Sequence, residues 1–531
     1  MRRRSCRAGP TGVDLWLVAA RGSLIRALAC LTIALALTCV SPLSLAQTTA
    51  PGNAVTGPLV QLVDTAPAGT FDALQRLSAI ANQASYNAIT GNPNAAIYCN
   101  PGLIAPSATC NAQQFLVFNN LRVLEQTANE LLNNGGPTRY SLNVDDRALG
   151  FALLWTAASE LNAPGSTASQ FASGQISSVA SRITALRFGA SGFSLSGLNL
   201  QQDGHPVVMA SAPQALGGGA SADGSDIGIA SRWGGFVNGA FGWGYREPSV
   251  LEDAFAFDSK DLTVGLDYRL TRRLVLGLAA GYTYQRIDFD SAASIADGGI
   301  RSKGYSATAY ALYEWDGPYL SASAGWQHLA DATTRVITYP SDNIAVPSVD
   351  ATAYGSTDSN ALLATFTAGW ALSHKAFTFE PYLNADYRNI TLAAFHEYSV
   401  NNSGADAGQP AGFDLAYASQ QIRILDTAVG LRLQYALRPR FGVLVPYVRA
   451  EYHHNFDANV YAVSSAYNAI ASSGAQFNLP SDAAGDHYYQ FAGGLSLVLK
   501  HGIQGFVQYQ ASSGLQYITN RQISGGIRGE F

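Results

Sequence analysis

The chain has 531 residues, a formal net charge of −5 and only 13% charged residues, about half the share usual in soluble domains. Its 26 Tyr, 23 Phe and 52 Gly stand against 5 Cys and 2 Met, and no basic excess offers the electrostatic footprint of a nucleic-acid binder. Past residue 46 no stretch of about 18 consecutive apolar residues occurs, which excludes a membrane protein that crosses with helices.

At the N-terminus Arg2, Arg3, Arg4, Arg7, Arg21 and Arg26 precede an apolar run from Ala27 to about Val40, followed by Ser44-Leu45-Ala46. This is the layout of a secretory signal, residues 1–46, cleaved between Ala46 and Gln47. A lipid anchor on Cys30 or Cys39 would need a Leu-Ala-Gly-like box, and Ala27-Leu28-Ala29 and Ala36-Leu37-Thr38 fit that poorly.

Residues 47–188 read as helical. Thr70 is placed to cap a helix with Phe71, Leu74, Leu77 and Ala81 on one face, ending at Gly91. Asn111 opens a second through Leu121, Leu124, Ala128 and Leu131, ending at Gly135 and Pro137. Asp145 to Leu161 is a third, and Ser166 to Phe188 a fourth, its Ile176, Val179, Ile183 and Leu186 spaced by three and four. Between the first two lie Cys99 and Cys110. An even count in an exported chain implies a disulfide, and a metal pair would want a His or further Cys close by, which is missing. A Gly-, Ala- and Ser-rich linker, residues 189–231, follows.

From residue 232 the periodicity changes to two. Leu262, Val264, Leu266 and Tyr268 alternate with Thr263, Gly265, Asp267 and Arg269; Leu274, Leu276, Leu278, Ala280, Tyr282 and Tyr284 alternate with Val275, Gly277, Ala279, Gly281, Thr283 and Gln285. About twelve such runs begin near Trp233, Phe255, Leu274, Gly304, Tyr319, Ala361, Phe377, Arg423, Gly442, His487, Gly502 and Tyr517, an even number as single-chain bacterial barrels require. Many reach about 10 residues, the length of a tilted membrane-spanning strand rather than of a sandwich strand. Tyr245, Tyr268, Trp315, Tyr319, Trp326, Trp370, Tyr387 and Tyr398 fall at run ends, where rings sit at headgroup depth. The fold class is mainly β: an antiparallel transmembrane barrel of about 12 strands, residues 232–531, preceded by a small all-α region.

Short turns (Thr271-Arg272-Arg273, Asp316-Gly317, Arg438-Pro439-Arg440) alternate with long polar loops (Asp288 to Arg301, Thr338 to Asn360, His396 to Gln421, Asp457 to Asp486). In an outer-membrane barrel the short turns face the periplasm. Pro381-Tyr382-Leu383-Asn384-Ala385-Asp386-Tyr387 recurs as Pro446-Tyr447-Val448-Arg449-Ala450-Glu451-Tyr452, so these are equivalent strands one hairpin apart, each Pro expected near a strand start or an interruption of the ladder. The inward set then includes Glu380, Tyr382, Asp386, Arg388, Asp426, Arg432, Arg449 and Glu451, more simply a hydrogen-bonded wall or plug seat than a catalytic site.

The order Trp233-Gly-Gly-Phe-Val-Asn-Gly-Ala-Phe-Gly242, Leu262-Thr-Val-Gly-Leu-Asp-Tyr268, Leu276-Gly-Leu-Ala-Ala-Gly-Tyr282, the two Pro-Tyr strands and Tyr452-His-His-Asn-Phe456 resembles the autotransporter translocator domain, from about Trp233 to Phe531. The resemblance implies a barrel in the Gram-negative outer membrane that helps translocate its own N-terminal passenger to the cell surface. It further implies outer-membrane lipid, the secretion translocon and the barrel-assembly machinery as partners, and no cofactor. Ile527, Gly529 and Phe531 look like the terminal assembly signal, with Gly529 standing where that family usually has a hydrophobic residue. Ser178 to Phe193, carrying Arg182 and Arg187, resembles the helical element that often precedes such barrels. A helix about 10–12 Å across fits a medium barrel and would set its arginines against lumen carboxylates, or it packs outside the pore; the linker reaches either way.

All eight histidines lie at position 205 or beyond, so no Ser-His-Asp or Cys-His set can form within the first 200 residues. Neither His-Glu-x-x-His nor Gly-Asp-Ser-Leu occurs, and the passenger reads as non-enzymatic. Asn-Asn pairs at Asn119, Asn133 and Asn401 lie outside the linker, so the resemblance gives no support for self-cleavage there. Three readings follow: a self-transporting surface protein with an unidentified surface ligand, adhesion among its roles; a channel-like barrel with a periplasmic helical or plug domain; and an outer-membrane hydrolase built on Asp457, His453, His454 and His487.

Overall fold

The computed structural model describes residues 55–157, 163–187, 201–202, 205–206, 232–292, 297–315, 317–439, 442–456, 462–482, 485–499 and 503–530. The signal with Ala46 and Gln47, most of the linker, Asp457 and Phe531 lie outside them.

Twelve long strands close into one antiparallel barrel: β1 (Trp233–Arg246), β2 (Phe255–Arg269), β3 (Leu274–Phe289), β4 (Gly298–Glu314), β5 (Pro318–Tyr339), β6 (Val349–Trp370), β7 (Phe377–Leu392), β8 (Gln420–Tyr435), β9 (Gly442–Asn455), β10 (His487–Leu499), β11 (Gln504–Ser513) and β12 (Ile518–Glu530). Each pairs with its neighbour in sequence, and β12 returns to β1 through Ile518↔Arg246 to Glu530↔Gly234, which leaves no open edge. Alternation decides which face is which. On β3, Leu276, Leu278 and Tyr282 point outward and are exposed, whereas Val275, Ala279, Thr283 and Gln285 are buried inside. Exposed Leu, Val, Ile, Phe and Tyr around the barrel make an apolar outer surface that only a hydrocarbon environment would solvate favourably.

Two aromatic belts bound that surface. Trp233 against Tyr268 and Tyr313 against Trp315 mark the short-turn end, with ring centroids 4.9 and 4.6 Å apart. Phe241 with Trp243 and Tyr305 with Trp326 mark the other. Ten steps along β1 from Trp233 to Trp243 rise about 25 Å at the usual tilt, the height of an outer-membrane apolar band. Tyr319 is not in either belt: its parity turns it inward, where it is 5% exposed against Glu380.

At the long-loop end the strands run well past the belts. β4 starts at Gly298 and β6 at Val349, earlier than the Gly304 and Ala361 of the alternation, and the expected loop from Thr338 to Asn360 is largely a hairpin paired through Tyr339↔Val349. Beyond the apolar band neither face needs to be greasy, so the period-two signal fades while the ladder continues. The loops after β7 and β9 carry four short strands, Phe395–Asn401, Leu415–Tyr417, Ala462–Tyr467 and Phe477–Pro480, paired in that order into a small sheet. Pro381 and Pro446 pair on one side only: β6 is paired up to Tyr382 and again at Phe379, and β8 up to Tyr447 and again at Leu444, so each Pro occupies a gap where no donor is missed.

Among the described residues five helices precede the barrel: α1 (Pro58–Thr65), α2 (Ala73–Thr90), α3 (Ala112–Leu132), α4 (Asp146–Ala157) and α5 (Ala163–Arg187). Sequence periodicity overlooked α1, whose eight residues are too few to show a period; Pro58 opens it and Leu59, Leu62 and Val63 are buried. α2 is capped by Asp72, not Thr70. Gln75 N–H donates to Asp72 Oδ1 at 2.8 Å and Asp72 N–H to Gln75 Oε1 at 2.9 Å, a reciprocal box that Thr70, two residues too early, cannot make. Asn111 and Gln114 repeat the box on α3. The Cys99–Cys110 disulfide closes the connection between them, both cysteines fully buried.

Helices α1 to α4 pack on the long-loop end of the barrel. Leu124, Leu149 and Leu153 share one apolar core with Ile337, Tyr339 and Phe413; Leu74, Phe118 and Leu121 share another with Phe395, Leu415, Tyr467 and Phe477. Tyr467 Oη donates to Asn82 Oδ1 at 2.7 Å and Asn120 Nδ2 to the Ala411 carbonyl at 3.0 Å across the seam.

Candidate functional site

α5 lies inside the barrel. Its 25 residues span about 37 Å, enough to run through the apolar band. Gln175 lies beside Thr263 on the inner wall, and Arg187 reaches Glu314 and Glu380 near the short-turn end. The chain therefore passes from the helical domain at one mouth toward the other, where β1 begins.

Two arginines fix the helix. Arg182, fully buried, places Nε and Nη2 each 2.6 Å from Asp267 Oδ2, and Tyr310 donates to the same oxygen at 3.1 Å. Arg187 donates to Glu380 Oε1 at 2.6 Å, approaches Glu314 at 3.3 Å and covers the Tyr319 ring, whose hydroxyl also donates to Glu380. Such pairs meet the requirement that charge held away from water be matched at close range. On the same helix Val179, Ile183 and Leu186 pack on Phe236, Val275, Ala279 and Tyr382. Two wall glycines make room: a Cβ on Gly234 would stand 2.6 Å from Arg182 Nη2, and one on Gly281 2.3 Å from Gln175. Arg432 donates to Thr184 at 3.0 Å and lies 4.0 Å from Glu380; Arg528 donates to the Ser181 carbonyl and Asn238 to that of Ser178.

Further inward charges line the opposite wall across a cavity of about 130 Å³. Asp426 gathers His453 at 3.1 Å, Arg388 at 3.8 Å and the Tyr488 hydroxyl; Arg449 lies 3.5 Å from Glu451, which accepts from Tyr382 at 2.6 Å; Asp386 is buried beside them. These groups pair by charge into a wall network, although atoms such as Arg449 Nε and Glu451 Oε2 make no hydrogen bond within it. His453 points into the lumen, whereas His454 and His487 are on the outer face, so the histidines of the hydrolase reading do not share a site. Among the described residues no three His, Cys, Asp or Glu side chains converge as a metal cluster. Ile527 faces outward, 67% exposed, and Gly529 pairs with Gly235 on β1. Sequence reasoning missed Tyr310, Glu314, Tyr319 and Arg528 as helix partners; strand parity alone would have turned all four inward.

Residues 235–510 match the model of the family described as the autotransporter beta-domain. Among solved structures the chain is similar to the translocator domain of the autotransporter NalP from Neisseria meningitidis (TM-score 0.43, 13% identity, covering 56% of this chain and 89% of that one). It is also similar to the beta domain of the Bordetella autotransporter BrkA (0.38, 14%, 56% and 100%) and to the transport unit of AIDA-I from Escherichia coli (0.33, 11%, 58% and 92%). No curated protein matches the sequence. The chain belongs to the autotransporter β-domain family, whose barrels are translocators of the Gram-negative outer membrane.

Proposed function

We propose that the barrel carries its own N-terminal helical domain to the cell surface and then remains closed by α5, with the domain seated on the outer loops as a permanent cap. One observation carries this: α5 occupies the lumen, joining a domain packed on the long-loop end to a strand that starts at the short-turn end. Short turns face the periplasm in outer-membrane barrels, so the capped mouth is the outer one. The exposed side of the helices is then the surface an outside ligand meets, and adhesion is the role that such a fixed display suits. Biogenesis on this reading takes signal cleavage between Ala46 and Gln47, the secretion translocon, and the barrel-assembly machinery reading the terminal signal Ile527, Gly529 and Phe531.

The test is an epitope placed in the exposed connection at Asn92–Asn94. Antibody labelling of intact cells is the expected result. Labelling only after permeabilisation would overturn the reading and make the protein a channel-like barrel with a periplasmic domain.

A further inference from the structure

On the outer face of the barrel, at its long-loop end, three polar groups converge. His454 on β9 is paired across the ladder with His487, the first residue of β10. Their Nδ1 atoms are 3.0 Å apart, and the Tyr452 hydroxyl lies 2.9 Å from His487 Nδ1. The rings are stacked, with centroids 4.8 Å apart for the two imidazoles and 5.7 Å for Tyr452 and His487. His487 is exposed and His454 partly so, while His453 between Tyr452 and His454 turns into the lumen toward Asp426.

Hydrogen bonding alone serves this cluster poorly. If His487 Nδ1 is the acceptor, its single lone pair is claimed by both the Tyr452 hydroxyl and a His454 N–H; if it is the donor, its one hydrogen is sought by two acceptors. Charging both rings would set two cations at 3.0 Å. A metal ion resolves the conflict, because it takes lone pairs rather than hydrogens. Two nitrogens bound at about 2.0–2.1 Å with an angle between about 90° and 110° stand about 2.9–3.4 Å apart, and the observed separation falls in that range. The rings are stacked with an interplanar angle of 25°, so converging both lone pairs on one ion requires a turn about a Cβ–Cγ bond, for which the exposed His487 ring has room.

We propose that His454 Nδ1 and His487 Nδ1 form a binding site for an imidazole-preferring divalent transition metal, Zn²⁺ or Cu²⁺, with the Tyr452 oxygen as third donor and water in the open positions. The site bridges β9 and β10 at the base of the connection that carries Ala462–Tyr467 and Phe477–Pro480, two of the strands on which the helical domain rests. A bound ion would clip that loop at its root and stabilise it by an amount that rises with the logarithm of metal concentration above the dissociation constant.

The test uses untagged full-length protein, refolded or extracted in detergent and stripped with chelator, titrated with Zn²⁺ by calorimetry and with Cu²⁺ by electron paramagnetic resonance. One equivalent bound per chain, with hyperfine structure from two nitrogens, is expected. Replacing an outer-shell partner of a metal site already costs about 10–100-fold in affinity, so His454→Ala and His487→Ala should each weaken binding at least about tenfold, with His374→Ala and His396→Ala unchanged. Both substituted side chains project from the barrel wall, and retained heat-modifiable migration on gels confirms folding. The proposal fails if the folded wild type takes up no stoichiometric metal below millimolar, or if the double variant binds as tightly as the wild type.

Discussion

Arg182 stands where a misplaced charge would be hardest to tolerate, closed off from solvent between Asp267 and the Phe236 ring. Arg182→Ala leaves Asp267 buried with only Tyr310 and should cost about 3–5 kcal/mol, whereas Arg182→Met combined with Asp267→Asn, which removes both charges, should cost far less. The temperature at which the folded form disappears in heat-modifiability gels measures both; equal losses would mean the pair does not secure the helix. A second buried charge belongs to the cap. Glu125 on α3 is 8% exposed, and burial pushes its carboxyl up to about 7 against a hydrogen bond from Gln83 that pulls it down. A raised acid holds its proton in the folded state, so its stabilising share is full below about 4.5 and is lost as pH rises through about 7. The helical circular-dichroism signal should therefore melt at lower temperature at pH 8 than at pH 5, by a difference worth up to about 3 kcal/mol, and Glu125→Gln should flatten that dependence. An unchanged pH profile in the variant would assign the effect to other groups.

Among the elements, legibility followed the solvent. Where a strand separates lipid from lumen, as in β3 with Leu276 and Leu278 against Val275 and Ala279, alternation is forced and the sequence displays it. Where the same sheet rises into water, as in Val349 to Asn360 of β6, both faces take mixed residues and the strand looks like a loop. The helices divide the same way: Asn111 marks the start of α3, while eight residues of α1 carry too little pattern. α5 was readable as a helix, but its place in the lumen was not, because Val179, Ile183 and Leu186 suit a helix–helix contact as well as a barrel wall; Asp267 and Glu380, distant in sequence, decide it. The disulfide acts at this scale too. It closes an 11-residue separation and should stabilise the α2–α3 connection by about 3 kcal/mol in the chain-entropy picture. Replacing Cys99 and Cys110 by Ser should lower the helical melting transition and leave barrel heat-modifiability as it was; a barrel equally weakened would show that cap and barrel unfold as one unit.

At the scale of the whole molecule the question is what holds the cap on. Arg335 of β5 and Glu397 of the loop after β7 are almost wholly buried and joined at 2.7 Å; Arg335 also donates to the Trp155 carbonyl at the end of α4 and to that of Phe413, and Glu397 accepts from Leu415 N–H at 3.2 Å. One ion pair thus ties barrel, loop sheet and helical domain at a common point, beyond the belts, where the twelve-strand ladder does not depend on it. Glu397→Ala strands a buried guanidinium at that junction, a loss of about 3–5 kcal/mol that falls on docking rather than on the barrel. Since about 1.4 kcal/mol is a factor of ten in an equilibrium, protease added to cells should cut the helical domain at least about a hundredfold faster in the variant, with the barrel still heat-modifiable and α5 still shielded in the lumen. If cleavage rates match those of the parent, the apolar seams around Phe118, Leu124, Tyr467 and Phe477 hold the cap without the ion pair; if the barrel itself is lost, cap and barrel form a single cooperative fold.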